Sequence, residues 1–522
     1  MSRSAVLRRT PALQRAADLP KGYPYDAGFL IGAAVAGLLF VFVAQGGFPL
    51  GSRSVGRLHF YTAQAVAVLH GHLDVPQQAL NAECFMIHRT KCMGYFGITP
   101  ALLRLPVALL LRSSGKFPNY LEAMYFLLGL VVTALGAWWV SRQLVALWAP
   151  TMGGRRLRAI GFVGAVSCLA ATPLLYLVAR PLVYEEAILW AVAFSGVALG
   201  AVVSMWRRPR PPTLVVLLLA DLLAVSARPT VGASALFATV ALGWRLLARS
   251  RAQARSPGEP SRRLALWGAC LMVGAVVAFA SAPAVLYLKF GTFSPPYRAS
   301  IAMFADPAKL AAVAHPGGTN PVVLPTKALS VLRPDSLQLL GHPPYVVLGE
   351  SQPTLLWPAK PADVLHMWEP TSSVTATMPF SAAVAIVAIV GLVGTARRRA
   401  TAGTGTVALN VTAVLVVSAL GAMVTELVFP GQTYRYIADW LPLLFVLVPT
   451  GLVFLGRRVP STPWPRRFLI GAGCLVLAAQ GFIQMGLAVE NGLVNGGEQP
   501  AACPGPPNPY GPLGVVFCPK TL

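Results

Sequence analysis

The sequence predicts an all-α membrane protein with about eleven transmembrane helices, its N-terminus in the cytoplasm and its C-terminus outside. Three observations support this prediction. Hydrophobic residues make up 55% of the chain and charged residues only 11%, whereas soluble domains are nearer a quarter charged. The apolar residues are gathered in runs of about 20, the length that crosses a bilayer. The basic residues lie in short clusters between those runs.

The apolar runs define the predicted transmembrane domain, residues 28–488. A polar, basic segment, 1–27, precedes the first run, which we interpret as a signal anchor because it is long enough to span. The fifth and sixth runs are short and are joined by 226–230, which predicts a broken hairpin ending below the far surface. The runs are residues 28–47, 120–141, 159–179, 185–205, 213–226, 229–245, 264–287, 379–396, 405–425, 437–455 and 468–488.

The distribution of charge predicts the orientation. With the N-terminus inside, the inner segments hold 25 of the 42 Lys and Arg residues but only 3 of the 18 acidic residues. Short, densely basic cytoplasmic loops are what the positive-inside rule requires. The net charge of +24 is therefore topogenic, and it does not indicate a nucleic-acid-binding protein. The predicted location is the plasma membrane.

Three long segments are predicted to lie outside. The first loop, 48–119, contains two stretches, 59–70 and 100–106, that we expect to form helices in the interface plane. The second loop, 289–378, is rich in Pro, Gly and Ser. The tail, 489–522, is also rich in Pro and Gly.

Four of the seven cysteines, Cys84, Cys92, Cys503 and Cys518, fall in these outside segments. An oxidising compartment favours disulfides, so two are predicted. The local pairs are Cys84–Cys92 and Cys503–Cys518, and a cross pairing of tail and first loop stays open, as do free thiols. A zinc site is less favoured because the CxxC spacing is absent.

Charged residues within or beside spans are costly, so each is a candidate for function. A carboxylate in the first loop is suited to act as a general base, and an arginine at the membrane surface is suited to bind a phosphate. The candidates are Asp74, Glu83, Tyr184, Glu185, Glu186, Asp221, Arg228, Tyr434, Arg435, Tyr436 and Asp439. Together these residue types favour transfer from a donor linked to a lipid phosphate.

Simpler interpretations stay open for each candidate. Asp74 is also suited to end a helix, and Glu83 to be a solvated loop charge. Arg228 and Asp221 could form a purely structural pair. Arg435 and Asp439 are four residues apart and could neutralise each other.

The layout resembles that of the GT-C membrane glycosyltransferases, which use polyprenyl-phosphate-linked sugars. A first span followed at once by a large outside loop with two interfacial helices is the plan of that family. Segment 60–74 is similar to the family's "Y…A…L..G.L.." helix. The other similar segments are 83–85, 94–106, 183–187, 226–230 and 434–442.

The resemblance implies roles for several residues. Many members carry a catalytic acid just before the tyrosine of the first loop helix, but Ser54–Tyr61 contains none. Glu83, or else Asp74, is therefore the expected base. The expected substrate-binding residues are His59, Tyr61, Tyr184, Glu185, Arg228, Arg435 and Asp439, with the two arginines holding the donor phosphate.

The implied function is sugar transfer from a polyprenyl-phosphate donor to an envelope glycan, lipid or protein on the outer membrane face. Frequent Ala, Arg, Gly and Pro favour a GC-rich bacterium, such as an actinobacterium. No cofactor is predicted, and a divalent metal stays open. The partners are the bilayer, the donor and the acceptor. A transporter or lipid flippase is one alternative, and a non-catalytic envelope-assembly partner is another.

Overall fold

The computed structural model describes residues 23–44, 60–80, 84–87, 91–111, 120–179, 183–253, 260–293, 319–341, 345–349, 354–360, 363–364, 371–400, 407–429, 431, 433–458 and 462–494. Within these residues the fold is almost entirely helical. The helices are α1 Pro24–Ala44, α2 Phe60–Leu69, α3 Thr99–Leu111, α4 Tyr120–Trp148, α5 Gly154–Ala165, α6 Leu174–Ala179, α7 Val183–Arg207, α8 Pro211–Ala227, α9 Pro229–Gln253, α10 Pro260–Phe290, α11 Leu324–Leu332, α12 Val374–Thr377, α13 Pro379–Ala400, α14 Val407–Leu427, α15 Leu441–Arg458 and α16 Pro463–Val494.

Nine of the described helical segments are long and apolar enough to cross a membrane. The prediction of an all-α, multi-pass membrane protein is confirmed at this level, whereas the total number of spans and their orientation stay predictions. The sixth predicted run, 229–245, ends too early, since α9 has 25 residues and continues to Gln253. The fifth run, α8, is indeed short, with 17 residues.

The third predicted span is not one continuous helix. A π-helix, Val166–Ala170, follows α5, and α6 begins only at Leu174. Pro173 lacks an N–H and so cannot continue the helical hydrogen-bond ladder. The Gln480 side chain of α16 donates a hydrogen bond of 2.6 Å to the freed carbonyl of Ala171. A partner of this kind is needed because Ala171 is fully buried and a backbone group inside the membrane has no water to bond.

Close helix contacts in the bundle depend on small residues. α1 packs against α5, where a Cβ on Gly28 would lie 1.9 Å from the carbonyl oxygen of Arg158. At the same end of the bundle, Arg142 of α4 pairs with Asp26 of α1 at 2.8 Å. α7 and α15 are the most buried of the long helices, and α10 and α16 the least buried.

A cap of short elements covers the opposite end of the bundle. It comprises α2, α3, α11 and α12, a 3-10 helix at Tyr434–Trp440, and two antiparallel strand pairs. β1 (Phe85–Ile87) pairs with β2 (Lys91–Met93), and β3 (Leu337–Leu339) pairs with β4 (Val346–Leu348). The two helices predicted in the first loop are therefore present. α2 is buried on almost every side, however, and does not have the exposed face of an amphipathic surface helix.

Backbone contacts hold the cap on the helix ends. The N–H of Ile98, just before α3, bonds to the carbonyl of Ser226 at the end of α8. Gly97 makes this approach possible, because a Cβ there would lie 2.2 Å from the carbonyl oxygens of both Ser226 and Ala227. The amine of Lys289, at the end of α10, donates to the carbonyls of Gly94 and Phe96 at 2.9 and 2.7 Å. The first-loop segment is thereby fixed over the helix ends.

Candidate functional site

A layer of charged side chains lies between the cap and the helix ends. It holds four basic and four acidic residues, nearly all buried. We call it the charged layer; its members are Arg104, Glu185, Glu186, Arg228, Lys327, Glu426, Arg435 and Asp439. Charges are withdrawn from water in this way only when they are paired or have a functional role.

Arg104 and Glu186 form the most regular pair of the charged layer. Both side chains are at most 3% exposed, and both guanidinium NH2 groups donate to the carboxylate, one of them at 3.0 Å. The Arg104 guanidinium also lies 4.3 Å from the ring centroid of Tyr125. Because Arg104 belongs to α3 and Glu186 to α7, this bidentate pair anchors the cap helix to the bundle.

Arg435 and Glu185 form a looser pair next to it. The closest nitrogen–oxygen distance is 3.5 Å. The Arg435 guanidinium stacks on the ring of Tyr184, 3.9 Å from its centroid, in a cation–π arrangement. Consecutive residues of α7 thus contact two different arginines, Glu185 the one before α15 and Glu186 the one in α3.

Arg228 lies between two carboxylates. It sits in the turn between α8 and α9, and its guanidinium is 2.9 Å from Asp439 and 3.6 Å from Glu426. The Thr230 hydroxyl also donates to Asp439, at 3.4 Å. The interpretation of Arg228 and Asp221 as a structural pair is wrong, because the partners of Arg228 come from α14 and from the 3-10 helix.

The two arginines expected to hold a phosphate approach one another at Tyr436. The guanidinium carbon of Arg228 lies 4.7 Å from the centroid of that ring, and that of Arg435 lies 5.9 Å from it. The 3-10 helix Tyr434–Trp440 places Arg435, Tyr436 and Asp439 at this point. Arg435 and Asp439 do not simply neutralise each other. Arg435 pairs with Glu185 of α7, and Asp439 pairs with Arg228 of the α8–α9 turn.

Aromatic residues connect the charged layer to the first loop. The Tyr95 hydroxyl donates to the Tyr184 hydroxyl at 2.6 Å, and their ring centroids are 6.0 Å apart. The Phe85 and Tyr95 centroids are 5.3 Å apart. Tyr61 of α2 donates to the carbonyl of Val183 at 3.3 Å. The predicted residues Tyr61 and Tyr184 therefore meet at the start of α7, beside Glu185.

The predicted Cys84–Cys92 disulfide is present and joins the residue before β1 to the middle residue of β2. The N–H of Val75 also bonds to the carbonyl of Cys92 at 2.9 Å, which attaches the chain after α2 to the same unit. Cys503 and Cys518 lie outside the described residues.

Of the two expected general bases, only Asp74 lies within the described residues. Glu83 and the predicted substrate-binding residue His59 lie outside the described residues. Asp74 follows α2; its side chain is 30% exposed and lies 3.3 Å from Nδ1 of His72. In the chain, Asp74 adjoins Val75 and Glu83 adjoins Cys84, so both are attached to the disulfide-linked unit.

Several residues that the structure brings to this region are not among the candidates predicted from the sequence. These are Arg104, Lys289, Lys327 and Glu426, each a single charge in an apolar stretch, a signal that could have found them. Gln64 of α2 is fully buried, and neither atom of its amide has a hydrogen-bond partner in the part of the chain that the structure describes. A buried amide of this kind costs free energy unless something else binds it.

No family model matches the chain, and no curated protein or solved structure is significantly similar to it. Among the described residues, no group of three or more His, Cys, Asp or Glu side chains could hold a metal ion.

Proposed function

We propose that the chain is a membrane glycosyltransferase that transfers a sugar from a polyprenyl-phosphate donor to a glycan, lipid or protein acceptor. The acceptor and the cap lie on the outer face of the plasma membrane. The observation that carries the proposal is the contact at Tyr184. Arg435 stacks on this ring, and Tyr95, from the disulfide-linked unit, bonds to its hydroxyl. Tyr184 therefore contacts both Arg435, which is expected to bind phosphate, and the first-loop segment to which Asp74 and Glu83 are attached.

The charged layer is suited to binding a lipid phosphate. Guanidinium groups bind phosphate oxygens through paired N–H donors. Arg228 and Arg435, which both lie near the Tyr436 ring, would hold the donor phosphate near the end of the bundle, where its lipid tail can remain in the bilayer. Their carboxylate partners orient the guanidinium groups before substrate binds. Both arginines would stabilise the negative charge that develops on the phosphate as it leaves the sugar.

The acceptor hydroxyl needs a base to remove its proton as it attacks the sugar carbon. In the proposal Glu83, or else Asp74, takes that proton. The carbon–oxygen bond to the donor phosphate breaks as the new glycosidic bond forms on the opposite face, so the configuration at that carbon is inverted.

The test is a transfer assay in membranes with radiolabelled polyprenyl-phosphate hexoses and pentoses. We compare the wild type with Glu83→Gln and Asp74→Asn, each of which keeps the shape of the side chain but removes its basicity. One of the two should lower transfer at least about 100-fold, the lower end of the effect of general-base catalysis. If both retain wild-type transfer, neither is the base. If the wild type transfers neither kind of sugar, the proposed function is wrong.

One observation favours the transporter alternative. Asp221 is fully buried within α8, and Thr239 of α9 is its polar neighbour. Carboxylates inside membrane segments often lie on ion or proton pathways. In proteoliposomes, proton-coupled uptake or lipid flipping that Asp221→Asn abolishes would support this alternative. Transfer activity that Asp221→Asn leaves intact would support the glycosyltransferase.

A further inference from the structure

The strand pair β3–β4 of the cap packs along the outer part of α16. At one end of β4, the N–H of Leu348 donates to the Glu490 carboxylate at 3.3 Å. Just before β4, the ring centroid of Tyr345 lies 6.3 Å from that of Phe482. β4 therefore follows α16 from Glu490 toward Phe482, which is the direction of the bilayer centre.

Two independent lengths agree on how far the strand descends. Glu490 and Phe482 are eight residues apart, which is about 12 Å along a helix at 1.5 Å per residue. Leu348 and Tyr345, the residue before β4, are three residues apart, which is at most about 10 Å at the rise of a strand. The Tyr345 ring thus lies roughly 10 Å deeper than the level of Glu490.

The sequence of α16 locates the bilayer boundary. Arg466 and Arg467 are exposed at its other end and mark that membrane surface. About 20 residues of helix cross the hydrocarbon core, so the core ends near residue 487. Phe482 lies about five residues, or 7 Å, inside this boundary. It is 55% exposed on a helix that is among the least buried of the long helices, so its ring faces lipid.

The side chains of the strand pair suit the same environment. Leu339 lies opposite Val346, which is fully buried, yet Leu339 is itself 79% exposed. Tyr345 is 45% exposed. A leucine and a tyrosine exposed next to a lipid-facing phenylalanine match the boundary of a bilayer, where the aromatic ring is buried and its hydroxyl stays near the headgroups.

We infer that the β3–β4 pair enters the membrane leaflet on the cap side of the bundle, with Leu339 and Tyr345 in contact with lipid. Its partner is the headgroup–acyl boundary of the bilayer itself. The surface adjoins the lipid-facing side of α16, since the Tyr345 ring packs beside that of Phe482. This inference goes beyond the proposed function, because it holds whether or not the chain transfers sugars.

The test is spin labelling in nanodiscs of phosphatidylethanolamine and phosphatidylglycerol. A cysteine replaces Leu339 or Tyr345 in a chain whose Cys270, Cys474, Cys503 and Cys518 are alanine. Cys168 is kept because it is buried, and Cys84 and Cys92 are kept because they form the disulfide. Power saturation then compares collisions of the nitroxide with oxygen, which concentrates in lipid, and with a water-soluble nickel chelate. Phe482→Cys is the lipid-facing reference.

Asp335→Cys is the water-facing reference. Asp335 lies two residues before β3, its side chain is 67% exposed, and its hydrogen bond to Arg333 holds the pKa of its carboxyl below the usual value. Labels at Leu339 and Tyr345 should give oxygen-to-nickel accessibility ratios several-fold above the Asp335 label and close to the Phe482 label. The Leu339 site keeps the test valid if Tyr345→Cys fails to fold.

Two results would overturn the inference. Labels at Leu339 and Tyr345 that collide with the nickel chelate as often as the Asp335 label would place the strand pair in water. Labels shielded from both reagents, with strongly immobilised spectra, would show that protein covers this surface, as in a dimer. Neither result depends on transfer activity, so failure of the proposed function would leave this inference standing.

Discussion

Substitutions of Arg435 and its partner Glu185, made singly and together, test whether Arg435 stabilises the fold or binds phosphate. Arg435→Met removes the cation beside Glu185, a side chain only 2% exposed. Breaking a buried ion pair by removing one partner typically costs about 3–5 kcal/mol, because the remaining charge stays out of water. Arg435→Met should therefore lower both the thermal unfolding midpoint and transfer, and by itself it does not distinguish the two roles.

The double variant Arg435→Met/Glu185→Leu makes the distinction. Replacing both members of a buried pair by apolar residues is often neutral or stabilising, so its stability should return to within about 1 kcal/mol of wild type. Transfer should remain about 100- to 1,000-fold below wild type, the size of effect seen when one donor to a developing anion is lost. Glu185→Gln, which keeps Arg435, measures the contribution of the carboxylate alone.

The neighbouring pair provides the matched control. Arg104→Met/Glu186→Leu removes an Arg–Glu pair of similar burial from the next residue of α7. Because both members become apolar and the pair has no proposed contact with the phosphate, the double variant should be near wild type in both stability and transfer. The assays are thermal unfolding in detergent and radiolabelled transfer in membranes. Recovery of transfer in Arg435→Met/Glu185→Leu would refute phosphate binding by Arg435.

Three further predictions concern the first-loop unit and its attachment. Breaking the Cys84–Cys92 disulfide, which spans eight residues, should lower the free energy of unfolding by about 2.5 kcal/mol, because the unfolded chain gains entropy. The Cys84→Ala/Cys92→Ala variant should therefore unfold at a lower temperature. A thiol reagent that labels both cysteines of the wild type without reductant would contradict the disulfide. Lys289→Met removes two charge-assisted hydrogen bonds to the carbonyls of Gly94 and Phe96, so amide hydrogen exchange in residues 94–96 should accelerate. Lys289→Arg should largely preserve the protection. Equal exchange in wild type and Lys289→Met would show that the amine does not hold this segment. Gln64→Leu removes a buried amide that has no partner in the described part of the chain, so the free energy of unfolding should rise by about 1–3 kcal/mol and the thermal midpoint should rise with it. A lower midpoint would show that the amide is already bonded.

Much of the architecture could be predicted from local sequence. Runs of about 20 apolar residues have few stable locations other than a bilayer, so the long helices follow from composition and spacing. The Cys84–Cys92 bond was also predictable, because the two cysteines are eight residues apart in a segment predicted to face an oxidising compartment. The errors lie at places where a distant group compensates for a local rule. The helix is interrupted before Pro173 within a predicted span, and Gln480, 309 residues away, satisfies the carbonyl of Ala171.

The sequence by itself determined which chemistry is present: carboxylates, arginines and tyrosines near the predicted outer ends of apolar helices. Only the tertiary structure decided the partners. Arg228 pairs with Asp439 and Glu426, more than 190 residues away, and Glu185 and Glu186 contact arginines on opposite sides of them in the chain. Apolar periodicity and charge counts specify that a residue is buried or near a membrane surface, but they carry no information on which helices pack together. Helix packing depends on close contacts such as that of Gly28 in α1 with Arg158 in α5, and the resulting arrangement of helices brings the paired charges together.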